Sequence, residues 1–447
     1  MTKRLIVVLA LALVAGLVTC SYAEVQNVKV SGDLTVYGIS RMFDVAGGND
    51  NKDDNAFASI TRVKVESDLT DNVTATVRLL NERYWGTEVE MTGTGTNPNS
   101  DLSLDLACVT LKEFMMPAAT LTIGRQELRF GNGMIVGDPD TNNAVSTASP
   151  FSNLDMDLSA RKAFDAIRLT LNYDPLVIDL VSSKITETSL TSSDDVDLYG
   201  INANYKLNND KNTVVEGYLF ERRNGASTKN NNVDRTDVVG GRVATDLTKN
   251  LTYSLEGAYQ FGKTIGAAGV TNVNRKAFAI ETAATLVMPD VKLTPSLTGV
   301  YSYFSGNPSN YTAADGVNRA WDPMFEDQAT GRIANTLFNQ SNAHVLGGIV
   351  TAKPKDDVML KAEYYAFWWA KAFVEGTATA TVRDTTTPLY TTQRRLAAQE
   401  VDLSAIYNYT EDVQFGLIGC VLFPGDSFQK RTNSHATEVL GSMKVSF

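Results

Sequence analysis

The feature that most constrains this sequence is an alternation of apolar and polar side chains with a period of two residues. It is clearest in NVTATVRLL (72–80) and recurs in NLTYSLEGAYQF (250–261), AFAIETAATL (277–286) and DVQFGLIGCVLF (412–423). Successive side chains of an extended chain point to opposite faces, so each segment has one apolar and one polar face. Segments of about ten residues with this period predict β-strands rather than helices.

The connections between these segments are of two kinds, which alternate along the chain. Short connections rich in Pro, Asn and Asp, which favour tight turns, lie at 68–72, 115–119, 172–175, 208–212, 246–250, 288–290, 353–357 and 408–412. Long polar connections lie between them, for example at 44–55, 86–101, 131–159 and 306–341. Counting the segments between connections predicts about 18 strands, an even number, joined by about 8 tight turns and about 9 longer loops.

An even number of antiparallel strands, with short turns on one rim and long loops on the other, is typical of bacterial outer-membrane barrels. Hydrocarbon offers no hydrogen-bonding partners, so a sheet that spans it must close and pair its own backbone groups. A soluble propeller is the alternative, but it would show repeats of about 40 residues, which the sequence lacks. The sequence therefore predicts an all-β fold: a transmembrane antiparallel β-barrel with short periplasmic turns, long extracellular loops and outer-membrane lipid around it.

Both ends of the chain agree with this location. A basic start, MTKR, precedes the apolar run LIVVLALALVAGLV and the small-x-small pattern Ser21-Tyr22-Ala23, the layout of a secretory signal peptide. We therefore expect a signal peptide at 1–23 and the barrel at 24–447. The last segment, TEVLGSMKVSF, alternates up to Phe447 and is expected to close against the first strand. Phe447 also resembles the terminal aromatic residue by which the insertion machinery recognises outer-membrane proteins.

Composition argues against several other classes of protein. The formal net charge is −11 and no basic patch offsets it, which argues against nucleic-acid binding. Cys108 and Cys420 form no CxxC pair, and neither of the two histidines, His344 and His435, has a nucleophile motif beside it. We therefore expect neither a cofactor nor an enzymatic activity.

The lumen of a barrel of this size is too wide for wall side chains to fill, so water or loops must occupy it. The 29-residue stretch 131–159 is the candidate for a loop that folds inward. Its motif DPDTNN makes Asp138 and Asp140 weak candidates for Ca²⁺ ligands. An Asx-turn cluster is the alternative explanation of the same residues.

The apolar parity of each strand is expected to face lipid and the polar parity to face the lumen. This places a set of charged residues in the lumen as candidates for solute selectivity: Arg62, Lys64, Arg78, Arg168, Arg242, Arg275 and Lys361, with Asp179, Glu216 and Glu256. Each has an alternative interpretation as a salt-bridged wall residue without a role in transport. Because basic residues dominate the early strands and acidic residues the following ones, we expect opposed walls and a field across the lumen.

Two segments, LTIGRQELRFGNGMIVGD (121–138) and RKAFDAIRLTLNY (161–173), resemble the alginate-export family of outer-membrane β-barrel porins. The resemblance implies a monomeric channel of about 18 strands that passes a polyanionic polysaccharide. It also implies that Arg125, Arg129 and Arg168 are arginines of the matching region. The acidic chain and its nearly balanced lumen charges depart from the strongly basic pathway of the founding channel.

The position of Arg125 conflicts with strict alternation. It shares parity with Leu121 and Ile123, which would direct its side chain toward lipid. We expect a β-bulge near Gly124 to turn Arg125 inward. The alternative is that Arg125 lies above the membrane and folds over the rim.

These observations predict an outer-membrane porin for passive diffusion of hydrophilic solutes, chiefly anionic ones, or of a polysaccharide. The alternative is a barrel that encloses a partner protein, such as an exported electron carrier, with little free solute flux. An outer-membrane hydrolase would need a Ser/His or Asp/His set at the outer rim, and the sequence offers none.

Overall fold

The computed structural model describes residues 27–42, 53–86, 102–139, 157–187, 195–225, 234–265, 272–373, 379–380, 389–390, 393–428 and 435–447. The predicted signal peptide therefore lies outside the described residues. One sheet contains nineteen strands. One of these is the two-residue strand Val317–Asn318, which leaves eighteen long ones.

The eighteen long strands follow one another in chain order around the sheet. They are β1 Asn27–Met42, β2 Asp53–Thr70, β3 Val73–Tyr84, β4 Ser103–Lys112, β5 Ala119–Glu127, β6 Ala163–Tyr173, β7 Leu176–Thr186, β8 Val196–Lys206, β9 Val214–Asn224, β10 Asp234–Thr248, β11 Leu251–Thr264, β12 Val273–Val287, β13 Ser296–Phe304, β14 Ala343–Lys355, β15 Val358–Trp369, β16 Leu396–Asn408, β17 Val413–Pro424 and β18 Ala436–Ser446.

The sheet closes on itself because β18 pairs antiparallel with β1, from Asp33 opposite Ser446 to Met42 opposite Thr437. The pairing extends to the last residue, since Gly32 and Phe447 exchange backbone N–H···O bonds of 2.8 and 2.9 Å. All other neighbouring pairs of long strands are also antiparallel, and no edge is left free among the described long strands. The predicted antiparallel barrel of 18 strands is confirmed.

The two faces of the wall differ as the alternation predicts. Along β12, Ala277 and Ala279 are buried, whereas Phe278 and Ile280 are exposed. The inner face of the short-turn half carries small hydroxyl residues that bond across strands, such as the side chains of Thr285 and Thr298 at 2.8 Å. No helix among the described residues is long and apolar enough to span a bilayer.

Two long connections on the same rim fold into the barrel. The first inward loop comprises the described residues 128–139 and 157–162, between β5 and β6. The second inward loop comprises residues 305–342, between β13 and β14. It contains a 3₁₀ turn at Ala313–Asp315 and one short helix, α1, at Ile333–Leu337.

The two loops pack on each other and create an apolar core inside the barrel. The N–H of Gly137 donates to the carbonyl of Phe325 at 2.8 Å, and the N–H of Asp327 donates to that of Gly133 at 2.8 Å. Their buried side chains, Met134, Ile135, Val136, Trp321, Met324 and Phe325 among them, form one cluster with small wall residues of β11 and β12. The inward position predicted for 131–159 is therefore found in its described part, whereas no sequence feature indicated that 306–341 also folds inward.

Candidate functional site

The first inward loop is held by two acids of the barrel wall. Glu216 accepts the backbone N–H of Gly131 at 2.9 Å, and Glu256 accepts that of Asn132 at 2.7 Å. The second oxygen of Glu256 accepts the hydroxyl of Tyr218 at 2.7 Å. Gly131 has φ +58°, and a Cβ there would collide with Glu256, so only glycine fits. Glu216 and Glu256, predicted as lumen charges, thus lie on the lumen face and bind the loop.

The other end of the first loop is held in the same way. Glu82 of β3 accepts the backbone N–H of Ala160 at 2.6 Å and the hydroxyl of Ser159 at 2.9 Å. Glu82 is buried, and hydrogen bonds are what make a buried carboxylate tolerable. Glu82 was not predicted as a site residue from the sequence, although it lies on the polar face of a predicted strand.

The second inward loop is held by Glu400 of β16. Its carboxylate accepts the backbone N–H groups of Arg332, Ile333 and Ala334 at 2.7, 2.6 and 2.8 Å. The first N–H groups of a helix have no partner within the helix, so this carboxylate caps the start of α1. Glu400 is completely buried.

Four charged side chains join both loops to the closing strands. Arg41 of β1 contacts Asp157 at 2.5 Å and Glu438 of β18 at 2.7 Å. Arg332 of the second loop contacts the same two acids, at 3.0 and 2.6 Å. Two cations and two anions therefore form a compact, mutually neutralising cluster.

Arg275 also holds the second loop. Asp322 of that loop lies 2.5 Å from Arg222 and 3.2 Å from Arg275. Burial alone would raise the pKa of Asp322, but the two guanidinium groups outweigh it and hold the pKa below its usual value. Arg275 is therefore on the predicted lumen face but is almost completely covered by the loop.

Most of the other predicted basic residues lie on the lumen face beside a neighbouring acid. The ion pairs are Arg62–Asp33 at 3.0 Å, Lys64–Glu66 at 3.4 Å, Arg78–Asp105 at 2.5 Å, Arg168–Asp179 at 2.8 Å, Arg242–Glu216 at 4.0 Å and Lys361–Glu363 at 2.6 Å. The expectation of opposed basic and acidic walls is wrong, because positive and negative side chains alternate around the wall as local pairs. Which acid lies beside which basic residue depends on the register between neighbouring strands, and the number of charges on each strand does not predict that register.

Arg125 does not join this set. The pairing of β5 with β4 and β6 runs through Gly124 without a shift, so the expected β-bulge is absent there. Gly124 instead takes φ +117°, which distorts the strand without inserting a residue. Arg125 keeps the parity of Ile123 and pairs with Asp165 at 3.2 Å near the long-loop end of the strand.

Arg129 follows β5 and reaches the contact between the two loops. Its guanidinium donates to the backbone carbonyl of Asp327 at 3.0 Å and also pairs with the Asp327 carboxylate. Lys162 bridges Asp327 and Asp138, at 3.1 and 2.7 Å. The calcium candidate Asp138 thus has an ammonium group as its partner. Asp140 lies outside the described residues, so the calcium site stays a prediction.

Two cavities lie on either side of Ala329 in the second loop. The larger, about 260 Å³, is lined by Arg129, Arg242, Glu256, Glu281, Gln328 and Tyr365, among others. The smaller, about 250 Å³, is lined by Arg332, Lys361, Glu363 and Asp402, among others. Both have the charged lining expected of a path for hydrophilic solutes and not of an apolar ligand pocket.

One group in the described part of the chain has metal-ligating chemistry: Glu400, Asp402 and Cys420, whose ligand atoms lie within 4.8 Å of one another. Both oxygens of Glu400 already accept hydrogen bonds from α1. The geometry therefore assigns Glu400 to the attachment of the loop.

Comparison with known proteins gives one family and a set of similar folds. The family model described as alginate export matches residues 40–442. The structure is similar to Pseudomonas aeruginosa OccK8 (OprE), with 12% identity, a TM-score of 0.59 and coverage of 95% of this chain and 98% of that one. P. aeruginosa OpdK with vanillate and OccK2 (OpdF) with glucuronate each give 10% identity, a TM-score of 0.54 and coverage of 95% and 99%. No curated protein sequence matches the chain.

Proposed function

We propose that this chain, which belongs to the alginate export family of outer-membrane β-barrels and is an outer-membrane channel, passes small hydrophilic solutes by passive diffusion and favours carboxylates. A polysaccharide is the other solute class that the family suggests. The lumen charges decide between anions and cations, and the inward loops decide between small solutes and polymers.

The observation that carries the proposal is that the acids around the larger cavity are buried in hydrogen bonds, whereas the arginines are more exposed. Glu256 is 2% exposed, because the first loop and Tyr218 take up its oxygens. Glu281 is bonded to Ser302 and Gln328. In contrast, the side chain of Arg129 is 49% exposed and that of Arg242 is 25% exposed. Asp327, which also lines the cavity and is 22% exposed, is paired with Arg129 and Lys162. A solute in this cavity therefore meets guanidinium groups more readily than free carboxylates, and guanidinium binds carboxylates in a bidentate manner.

The inward loops support a small solute over a polymer. The apolar core that they form occupies part of the lumen, and each charged cavity beside it holds about 250–260 Å³. Vanillate and glucuronate, named with two of the similar structures, are small anions. Both are of a size that such cavities accommodate.

Ion selectivity in planar bilayers tests the charge part of the proposal. The purified channel is expected to show an anion-selective reversal potential in a salt gradient. Arg129→Gln/Arg242→Gln should move it toward cation preference, because two exposed positive charges are removed. Arg125→Gln is the matched control. It removes a guanidinium group from the outer face of the wall and should leave selectivity unchanged. Equal shifts in both variants, or none in either, would refute the role given to Arg129 and Arg242.

Solute uptake into liposomes tests the size part. Glucuronate should enter faster than glucose, and uronate oligomers should enter more slowly than the monomer. Faster passage or tighter current block by a long polyuronate would favour polysaccharide transport instead. The enclosure of a partner protein is not favoured by any contact in the described lumen, where the chain's own loops occupy the space.

A further inference from the structure

The outer face of β9 to β12 changes character toward the long-loop rim. Its last apolar row consists of Leu219, Val239, Tyr259 and Phe278, which are direct neighbours on adjacent strands and are all exposed. Exposed apolar side chains on the outside of a membrane barrel contact lipid acyl chains. This row therefore marks the upper part of the hydrocarbon layer on the extracellular side.

Two charged rows lie directly above it. The first consists of Glu221, Asp237, Phe261 and Lys276, again as neighbours on the four strands. The second contains Arg223, Arg235 and Lys263 side by side on β9, β10 and β11. Neighbouring Cα atoms across an antiparallel sheet are about 5 Å apart, so three basic residues lie within about 10 Å.

The acids of the first row neutralise only the two arginines. Arg223 pairs with Glu221 at 2.6 Å, and Arg235 pairs with Asp237 at 2.9 Å. Lys263 and Lys276 are exposed and have no ion-pair partner in the described part of the chain. Asp197 of β8, the neighbour of Arg223 on its other side, is paired with Lys184 at 2.5 Å. The four basic and two acidic residues on β9 to β12 therefore leave this patch with a net charge of +2, on a chain whose net charge is −11.

We propose that the four basic residues of this patch, Arg223, Arg235, Lys263 and Lys276, bind the phosphate groups of a phosphorylated glycolipid of the outer leaflet. Its height fits, because the patch begins immediately above the last lipid-contacting row, where headgroup phosphates lie. Its charge fits, because lysines at a membrane surface are attracted to anionic headgroups. The Tyr259 and Phe278 rings below would contact the acyl chains of the same lipid, so both parts of one molecule are bound.

Native mass spectrometry of the full chain, purified in detergent and freed of bound lipid, tests the proposal. The probe is lipid A with two phosphates, compared with lipid A lacking phosphate and with inorganic phosphate. We expect lipid A with two phosphates to bind, and Lys263→Gln/Lys276→Gln to weaken that binding by about tenfold or more. Lys263→Arg/Lys276→Arg should retain it.

The matched control is Lys249→Gln/Lys292→Gln, which removes two exposed lysines from the periplasmic turns after β10 and β12. It should bind lipid A as the unchanged chain does, and all variants should retain the heat-dependent gel mobility of a folded barrel. Equal loss in both lysine pairs would overturn the proposal. So would equal binding of lipid A without phosphate, or competition by inorganic phosphate at the concentration of the lipid.

Discussion

The carboxylate of Glu400 on the barrel wall accepts the backbone N–H of Ile333, the first residue of α1, at 2.6 Å. The same carboxylate also accepts the N–H groups of the residues on either side. A five-residue helix is too short to be stable alone, so this wall residue is what determines where the helix begins. Glu400 is therefore one of the wall residues that set the position of the second inward loop, and with it the width of the lumen; Arg222 and Arg275, which pair with Asp322, are others.

Glu400→Gln should therefore loosen the second loop. The amide retains one acceptor oxygen, but its NH₂ group replaces the other and cannot accept a backbone N–H of α1, so at least one hydrogen bond worth about 1 kcal/mol is lost. We expect a larger and noisier single-channel conductance, with the barrel still folded. Glu363→Gln is the control, because Glu363 bonds Lys361 and Tyr365 on the wall but not the loop. A quiet Glu400→Gln channel of unchanged conductance would show that the loop is held elsewhere.

Gly331→Ala should have a similar effect for a steric reason. Gly331 has φ +71°, and a Cβ there would lie 2.6 Å from the carboxylate of Glu400. Gly316 in the same loop has φ +69° but no atom within 4 Å of such a Cβ. Gly316→Ala thus measures the cost of the backbone conformation alone, about 1 kcal/mol. Gly331→Ala should raise channel conductance and noise well beyond Gly316→Ala; equal effects would exclude the clash with Glu400.

The two arginines of the four-charge cluster should differ in their effect on stability. The side chain of Arg41 is 2% exposed and that of Arg332 is 24% exposed. Removing one partner of a buried ion pair costs about 3–5 kcal/mol, because the remaining charge is left unpaired. In urea unfolding, Arg41→Met should destabilise the barrel more than Arg332→Met does. In planar bilayers, in contrast, Arg332→Met should change the single-channel conductance more than Arg41→Met does, since Arg332 positions the loop while Arg41 lies on the wall.

Asp322 gives a pH-dependent prediction. Its pKa is lowered in the folded chain, so its contribution to stability is present above the unfolded value of 3.8 and is lost as pH falls through the folded value. Wild type and Asp322→Asn should thus differ in thermal stability at pH 5 and converge well below pH 3.8. The difference should persist at pH 3.8 itself. Convergence already at pH 5 would mean that Arg222 and Arg275 do not hold the carboxylate.

The barrel could be predicted from the sequence because alternation is a local property that the environment imposes on every strand. All eight tight turns lie at the predicted places, and the last strand closes on the first. The same pattern predicted which parity faces the lumen, and Arg62, Arg78 and Arg168 of that parity form ion pairs with acids of the wall. The alternation alone did not predict the ion pairs that these side chains form.

The contacts within the lumen depend on residues that are far apart in the chain. Glu256 meets Asn132 across 124 residues, and Arg332 meets Glu438 across 106. The two-residue alternation does not predict which loop contacts which part of the barrel wall. For Arg125 the error was different: a β-bulge near Gly124 was expected to turn the side chain inward, whereas Gly124 takes a positive φ and no residue is inserted.

The backbone bonds between the inward loops have a consequence for how the pore could switch. Because backbone hydrogen bonds join Gly133 to Asp327 and Gly137 to Phe325, we expect the two loops to move together. Opening should then be all-or-none, and current records from one molecule should jump between two levels instead of drifting through intermediate ones.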